Sequence, residues 1–125
     1  MNTILIVDDD PFQASVMTSV LGRQFGDVRR VSDAAEALGL IEQPEFARDL
    51  RLLISGGHTH ALGGADFVAE LHARMPGLPV MVLGTNGSGR AEYADQDVVF
   101  IARPAASDTV LSVTRQMLAR HEIAA

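Results

Sequence analysis

The run Ile4-Leu5-Ile6-Val7-Asp8-Asp9-Asp10-Pro11 decides how the rest of the chain is read. Its four aliphatic residues do not alternate with polar ones, so they describe a strand covered on both faces, the habit of a parallel sheet. Three carboxylates then stop it. Asp10 before Pro11 has the chemistry of a helix N-cap followed by proline at the first helical position, and Phe12, Val16, Met17, Val20 and Leu21 recur at helical spacing. Gly22 or Gly26 ends that helix.

Outward from this unit the same alternation repeats. Val28 to Val31, carrying Arg29 and Arg30, is a weak strand suited to a sheet edge. Asp33 and Glu36 make a capping box for a helix over Ala34 to Ile41, which Pro44 closes. Leu50 to Ser55 is a third strand centred on Leu52-Leu53-Ile54, and a loop from Gly56 to Gly64 leads into the helical pattern Ala65, Val68, Leu71, Met75 and the turn Pro76-Gly77. Val80 to Leu83 is a fourth strand. The glycine-rich stretch Gly84 to Gly89 leaves only Arg90 to Gln96 for a fourth helix, expected to be short or disordered. Val98 to Ala102 is a fifth strand, Arg103-Pro104 a break, and Val110, Leu111, Thr114, Met117 and Leu118 lie along a final helix opened by Ser107 or Asp108.

Strands alternating with helices at this spacing need right-handed crossovers. The expected fold is α/β: a doubly wound, five-stranded parallel sheet in a single domain over 1–125, with about five helices. In such sheets the functional groups gather at the carboxyl ends of the strands. Here those ends are Asp8 to Asp10, Ser55 to Gly57, Gly84-Thr85 and Arg103-Pro104.

Composition narrows the function classes. The chain has 125 residues, 47% of them hydrophobic, a formal charge of −6 and no cysteine. That is enough to bury a core without a disulfide or zinc, and the acidic balance argues against nucleic acid as a direct partner. Met1 to Val7 lacks the basic flank of a signal peptide and is too short to span a bilayer, so the expectation is a soluble, cytoplasmic protein with no membrane partner.

Adjacent carboxylates at the end of a buried strand repel one another unless water or a cation lies between them. Asp8 and Asp9 are therefore a candidate Mg²⁺ cradle, and a solvated cap with Asp10 doing the capping fits the same spacing. His58-Thr59-His60 has a metal-binding spacing, but no cysteine or third local ligand accompanies it, which favours solvated loop histidines. Gly84 to Gly89 has the glycines of a phosphate cradle without the lysine of a P-loop or the order of a dinucleotide fingerprint. His72 and His121 fall on helices as surface or boundary residues.

Ile4 to Asp10 resembles the opening of response-regulator receiver domains (CheY-like), the phosphoacceptor modules of two-component signalling. The resemblance extends through Gly64-Ala65-Asp66-Phe67, Leu78-Pro79-Val80-Met81-Val82-Leu83 and Val99 to Pro104, over nearly the whole chain. It implies a flavodoxin-like sheet of strand order 2-1-3-4-5. It also implies two acids holding Mg²⁺, a phosphoacceptor Asp after the third strand, a Ser or Thr after the fourth, and a Lys after the fifth. Asp8 and Asp9 keep the acid pair. Counting back from Gly64, the phosphoacceptor position is Gly56, and no Asp or Glu occurs from Arg51 to Ala65. The hydroxyl position is Gly84, with Thr85 beside it, and the lysine position is Arg103, followed by Pro104. This combination resembles an atypical or pseudo-receiver with no phosphoacceptor, acting in bacterial phosphorelay signalling by phosphorylation-independent protein contacts.

The partner this resemblance implies is a kinase, regulator or output protein. It would meet the family's usual contact face, its fourth helix, fifth strand and fifth helix, and a homodimer is a further expectation. No cofactor is required, and Mg²⁺ is expected to bind Asp8 and Asp9 weakly. An enzymatic alternative is a small Mg-dependent, haloacid-dehalogenase-like phosphatase with Asp8 as nucleophile, Asp10 as acid and Ser55 as its strand-end hydroxyl. Against it, Gly84-Thr85-Asn86 brings none of the acids that complete that metal site, and the chain has no lysine.

Overall fold

In the computed structural model, residues 2–56, 64–84, 93, 97–103 and 105–124 are described, with backbone alone for 64 and 121–124. The strands are β1 (Thr3–Val7), β2 (Asp27–Val31), β3 (Leu50–Ser55), β4 (Val80–Gly84) and β5 (Val99–Ala102). They form one parallel sheet, as the alternation predicts, in the order β2-β1-β3-β4-β5 that the resemblance implies. The helices are α1 (Pro11–Phe25), α2 (Ala34–Ile41), α3 (Pro44–Asp49), α4 (Gly64–Arg74) and α5 (Ser107–Ala124). Of the helix expected over 90–96 only Tyr93 is among the described residues, at a turn.

Local chemistry accounts for the element ends. The Asp10 side chain accepts from the N–H groups of Phe12 and Gln13, and Asp33 accepts from the Glu36 N–H. These bonds satisfy helix-start donors that would otherwise have no partner. Of the two glycines that could end α1, Gly26 does so, at φ 83°, a conformation that favours glycine; Gly22 lies within the helix. Pro44 corrects the sequence reading. It closes α2 but also opens α3 as its first-turn proline, which buries Phe46. Near the amino ends of β3 and β4, His72 Nε2–H donates to the Leu78 carbonyl at 3.0 Å and fastens the Pro76-Gly77 turn.

Because successive strand residues point to opposite faces, the sheet builds two cores. One joins Leu5, Val7, Leu53, Val80 and Val82 to α2, α3 and α4 through Ala37, Phe46, Phe67 and Leu71. The other joins Ile4, Ile6, Leu52, Ile54 and Met81 to α1 and α5 through Leu21, Val110 and Met117. Each fully buried aliphatic or aromatic side chain contributes about 1.5–3 kcal/mol. A doubly covered sheet of this kind holds its strand ends in fixed relative positions.

Candidate functional site at the carboxyl edge of the sheet

β1, β3 and β5 converge on Asp8. Its N–H donates to the Val31 carbonyl of β2 at 3.1 Å, while the Gly56 N–H donates to the Val7 carbonyl at 2.8 Å. Both ladders thus continue one residue past β1, and this fixes where the Asp8 side chain starts. Oδ1 of Asp8 accepts the Asp10 N–H at 2.9 Å, and Oδ2 accepts Arg103 Nη2 at 3.3 Å. Arg103 is delivered by its own N–H, which donates to the Gly84 carbonyl at 2.6 Å. The two side chains of the ion pair are only 6% and 20% exposed, Asp8 first. A carboxylate at that depth without a counter-ion costs several kcal/mol, and the guanidinium offsets it.

Arg30 contributes from the edge strand. Its Nε and Nη2 fork onto the Asp8 carbonyl at 3.1 and 2.8 Å. In the sequence it read only as an edge charge; the signal available was a basic residue on a strand adjoining an acidic triplet.

Two glycines complete the edge, and a neighbouring side chain covers each. A β-carbon built on Gly56 would lie 2.5 Å from Asp8 Oδ2 and 2.6 Å from its Cγ, so the carboxylate lies where any side chain at position 56 would begin. At Gly84 the β-carbon would run into Cζ of Phe100, with Cε2 at 2.5 Å. Sequence reasoning missed Phe100, because nothing local shows an aromatic ring leaning across to another strand.

The described side chains do not fit a divalent cation as they stand. Both oxygens of Asp8 are engaged, and among the described residues no three His, Cys, Asp or Glu side chains gather in the way a metal needs. Mg²⁺ asks for a near-octahedral oxygen shell, and at Asp8 Oδ2 it would compete with the Arg103 guanidinium for the carboxylate. His58 and His60, the other metal candidates, lie outside the described residues, as do Gly57, Thr85, Pro104 and the remainder of the Gly84 to Gly89 stretch. Beside the ion pair a cavity of about 580 Å³ opens between α1 and α5, walled by Phe12, Val16, Met17, Leu83 and Val110, with Asp8 and Arg103 at its polar end. Phe12 and Val16 are exposed.

No protein-family model and no curated protein matches the sequence. Solved structures do match. A response regulator receiver domain protein from Clostridium thermocellum superposes with a TM-score of 0.89 at 16% identity, covering 100% of both chains. A CheY-like receiver domain protein from Methanospirillum hungatei JF-1 gives 0.88 at 19% identity, covering 100% of this chain and 99% of the other. The fold is the receiver-domain fold. NtrX from Brucella abortus, solved with ADP, gives 0.85 at 23% identity over 98% of this chain and 28% of its own. At these identities the likeness carries the fold alone. None of these structures supports the phosphatase alternative, and the geometry offers it little: both Asp8 oxygens are occupied, and Asp10 is committed to the N-terminus of α1.

Set on the receiver fold, the edge has the acid pair at Asp8 and Asp9, Gly56 next to Asp8, Gly84 at the end of β4 and Arg103 after β5. Asp8 and Arg103 are in contact, and Gly56 lies under the Asp8 carboxylate.

Proposed function

We propose that this chain is an atypical receiver of two-component signalling that works by binding a signalling protein rather than by accepting a phosphoryl group. One observation carries the reading. At the end of β3, where receivers place their acceptor, stands Gly56, and the Asp8 carboxylate lies on the spot a side chain there would need. A glycine has no atom to form an acyl phosphate. Arg103 supports the same reading, because its guanidinium neutralises Asp8 from within. Mg²⁺ then binds weakly, since it has to compete with that ion pair.

On this reading the protein is a cytoplasmic binding module and not an enzyme, and its partner is a kinase, regulator or output protein. Among the described residues no helix is long and apolar enough to cross a membrane, in keeping with that assignment. The contact face comprises β5, α5 and the segment 90–96. With no phosphate to favour one conformation, any change on that face must come from the partner's unequal affinity for two states, or be built in.

Incubation with acetyl phosphate and Mg²⁺, followed by intact-mass measurement, tests the proposal. The expected result is an unmodified mass. A phosphorylated species that hydroxylamine removes would overturn it.

A further inference from the structure

The cavity between α1 and α5 has an apolar body and a charged end. Phe12, Val16 and Met17 bring one face of α1 to it, and Leu83 and Val110 close it from β4 and α5. Its volume of about 580 Å³ lies within the range of small-molecule sites, about 300–1,000 Å³. Phe12 and Val16, one helical turn apart, are 76% and 45% exposed, so apolar surface meets water at its mouth.

The charged end holds two carboxylates, Asp8 and Asp10, and one guanidinium, Arg103. Asp8 and Arg103 neutralise each other, which leaves the charge of Asp10 in excess. Oδ1 of Asp10 accepts the N–H groups of Phe12 and Gln13, while among the described residues nothing donates to its Oδ2. The start of α1 offers an anion no donor. Pro11 has no N–H, those of Phe12 and Gln13 bind the Asp10 side chain, and that of Ala14 binds the Asp10 carbonyl. An anion drawn to Arg103 would also meet the carboxylates of Asp8 and Asp10.

We propose that this cavity binds a small amphipathic cation, an aryl or alkyl group carrying a protonated amine, with the apolar part between α1 and α5 and the ammonium against Asp10. The site goes beyond the proposed function and stands on the cavity and its charge balance, whether or not the chain accepts a phosphoryl group. Burial of the apolar part supplies the affinity, and the unbalanced carboxylate selects the sign of the charge.

Three probes of matched length separate these contributions: 4-phenylbutylamine, 4-phenyl-1-butanol and 4-phenylbutyrate, each titrated into the full chain and followed by amide NMR. The amine should shift the amides of Phe12 to Met17, Leu83 and Val110 saturably, and bind at least about threefold more tightly than the alcohol. The butyrate should bind more weakly than either. Asp10→Asn keeps the cap on α1, since asparagine accepts the same N–H bonds. It should bring the affinity for the amine down to that for the alcohol and leave the alcohol unaffected. Phe12→Ser, at an exposed position, should weaken the amine and the alcohol alike. The proposal is overturned if the amine produces no saturable shifts, if its shifts spread over acidic surface away from the cavity, or if butyrate binds as well as the amine. An amine affinity unchanged in folded Asp10→Asn would overturn it too. If that variant does not fold, the ranking of the three probes on the parent chain decides.

Discussion

The middle of the sheet and its carboxyl edge are only a few residues apart along each strand and follow different rules. At the middle, Leu5, Leu52, Leu53 and Ile54 are fully buried among apolar neighbours, and their contribution depends on volume alone. At the edge, Asp8 is also buried, yet its environment consists of named partners: the Asp10 N–H, the Arg103 guanidinium and the face of Gly56. The difference teaches that this fold rests on its strands, and that the edge holds an exchangeable set of groups. Groups at that edge can change without loss of the sheet, provided whatever remains is neutralised and close-packed.

That comparison breaks most visibly at the middle. Leu53→Ala should cost about 3–5 kcal/mol in urea unfolding, through lost transfer free energy and a residual cavity; a loss under about 1 kcal/mol would mean the two cores are not packed as described. At the edge, Arg103→Met should cost about 2–3 kcal/mol, because it leaves the buried Asp8 carboxylate without its counter-ion. Adding Asp8→Asn should recover part of that loss, and strict additivity of the two changes would show that the pair does not interact.

Smaller effects sharpen the contrast. Gly56→Ala should cost about 1–2 kcal/mol by driving the Asp8 carboxylate away from Arg103, whereas Gly22→Ala, with open space around it on α1, should stabilise the protein by up to about 1 kcal/mol. Among the described residues, Thr114 is the one with a buried side-chain hydroxyl that has no hydrogen-bond partner. Thr114→Val should therefore raise stability by about 1 kcal/mol, as a rise in the urea midpoint at constant slope.

The smallest effect lies at the amino end of the sheet. The Thr3 hydroxyl donates to Asp27 Oδ2 at 2.6 Å, and this bond, followed by those from Arg29, holds the Asp27 carboxyl below its ordinary value against the opposing effect of burial. A depressed folded-state pKa adds stability that is present above the unfolded value, about pH 4, and is lost as pH falls through the folded value. Thr3→Val should move the Asp27 titration, followed by carboxyl-carbon NMR, upward. An unchanged titration would assign the shift to Arg29.

Residues that act on near neighbours in the chain were legible. The apolar runs gave the strands to within a residue at each end, and the edge position of β2 followed from Arg29 and Arg30. The N-caps Asp10 and Asp33 were readable for the same reason, since their bonds span two or three residues. α3 was hidden because a proline both ends one helix and begins another, and a six-residue helix is too short to show a period.

The sequence by itself determined which groups the edge contains: two adjacent acids at Asp8 and Asp9, no acid at the end of β3, a glycine at the end of β4 and an arginine after β5. Only the tertiary structure decided what those groups do to one another. Asp8 meets Arg103 across 95 positions of chain, Arg30 reaches the Asp8 carbonyl across 22, and Phe100 covers a glycine on the neighbouring strand. Local patterning reports period and capping, whose energies depend on neighbours a few residues away. Partners that meet only when a parallel sheet closes depend on register and on which side chain leans into a vacant position, and those are properties of the packed molecule.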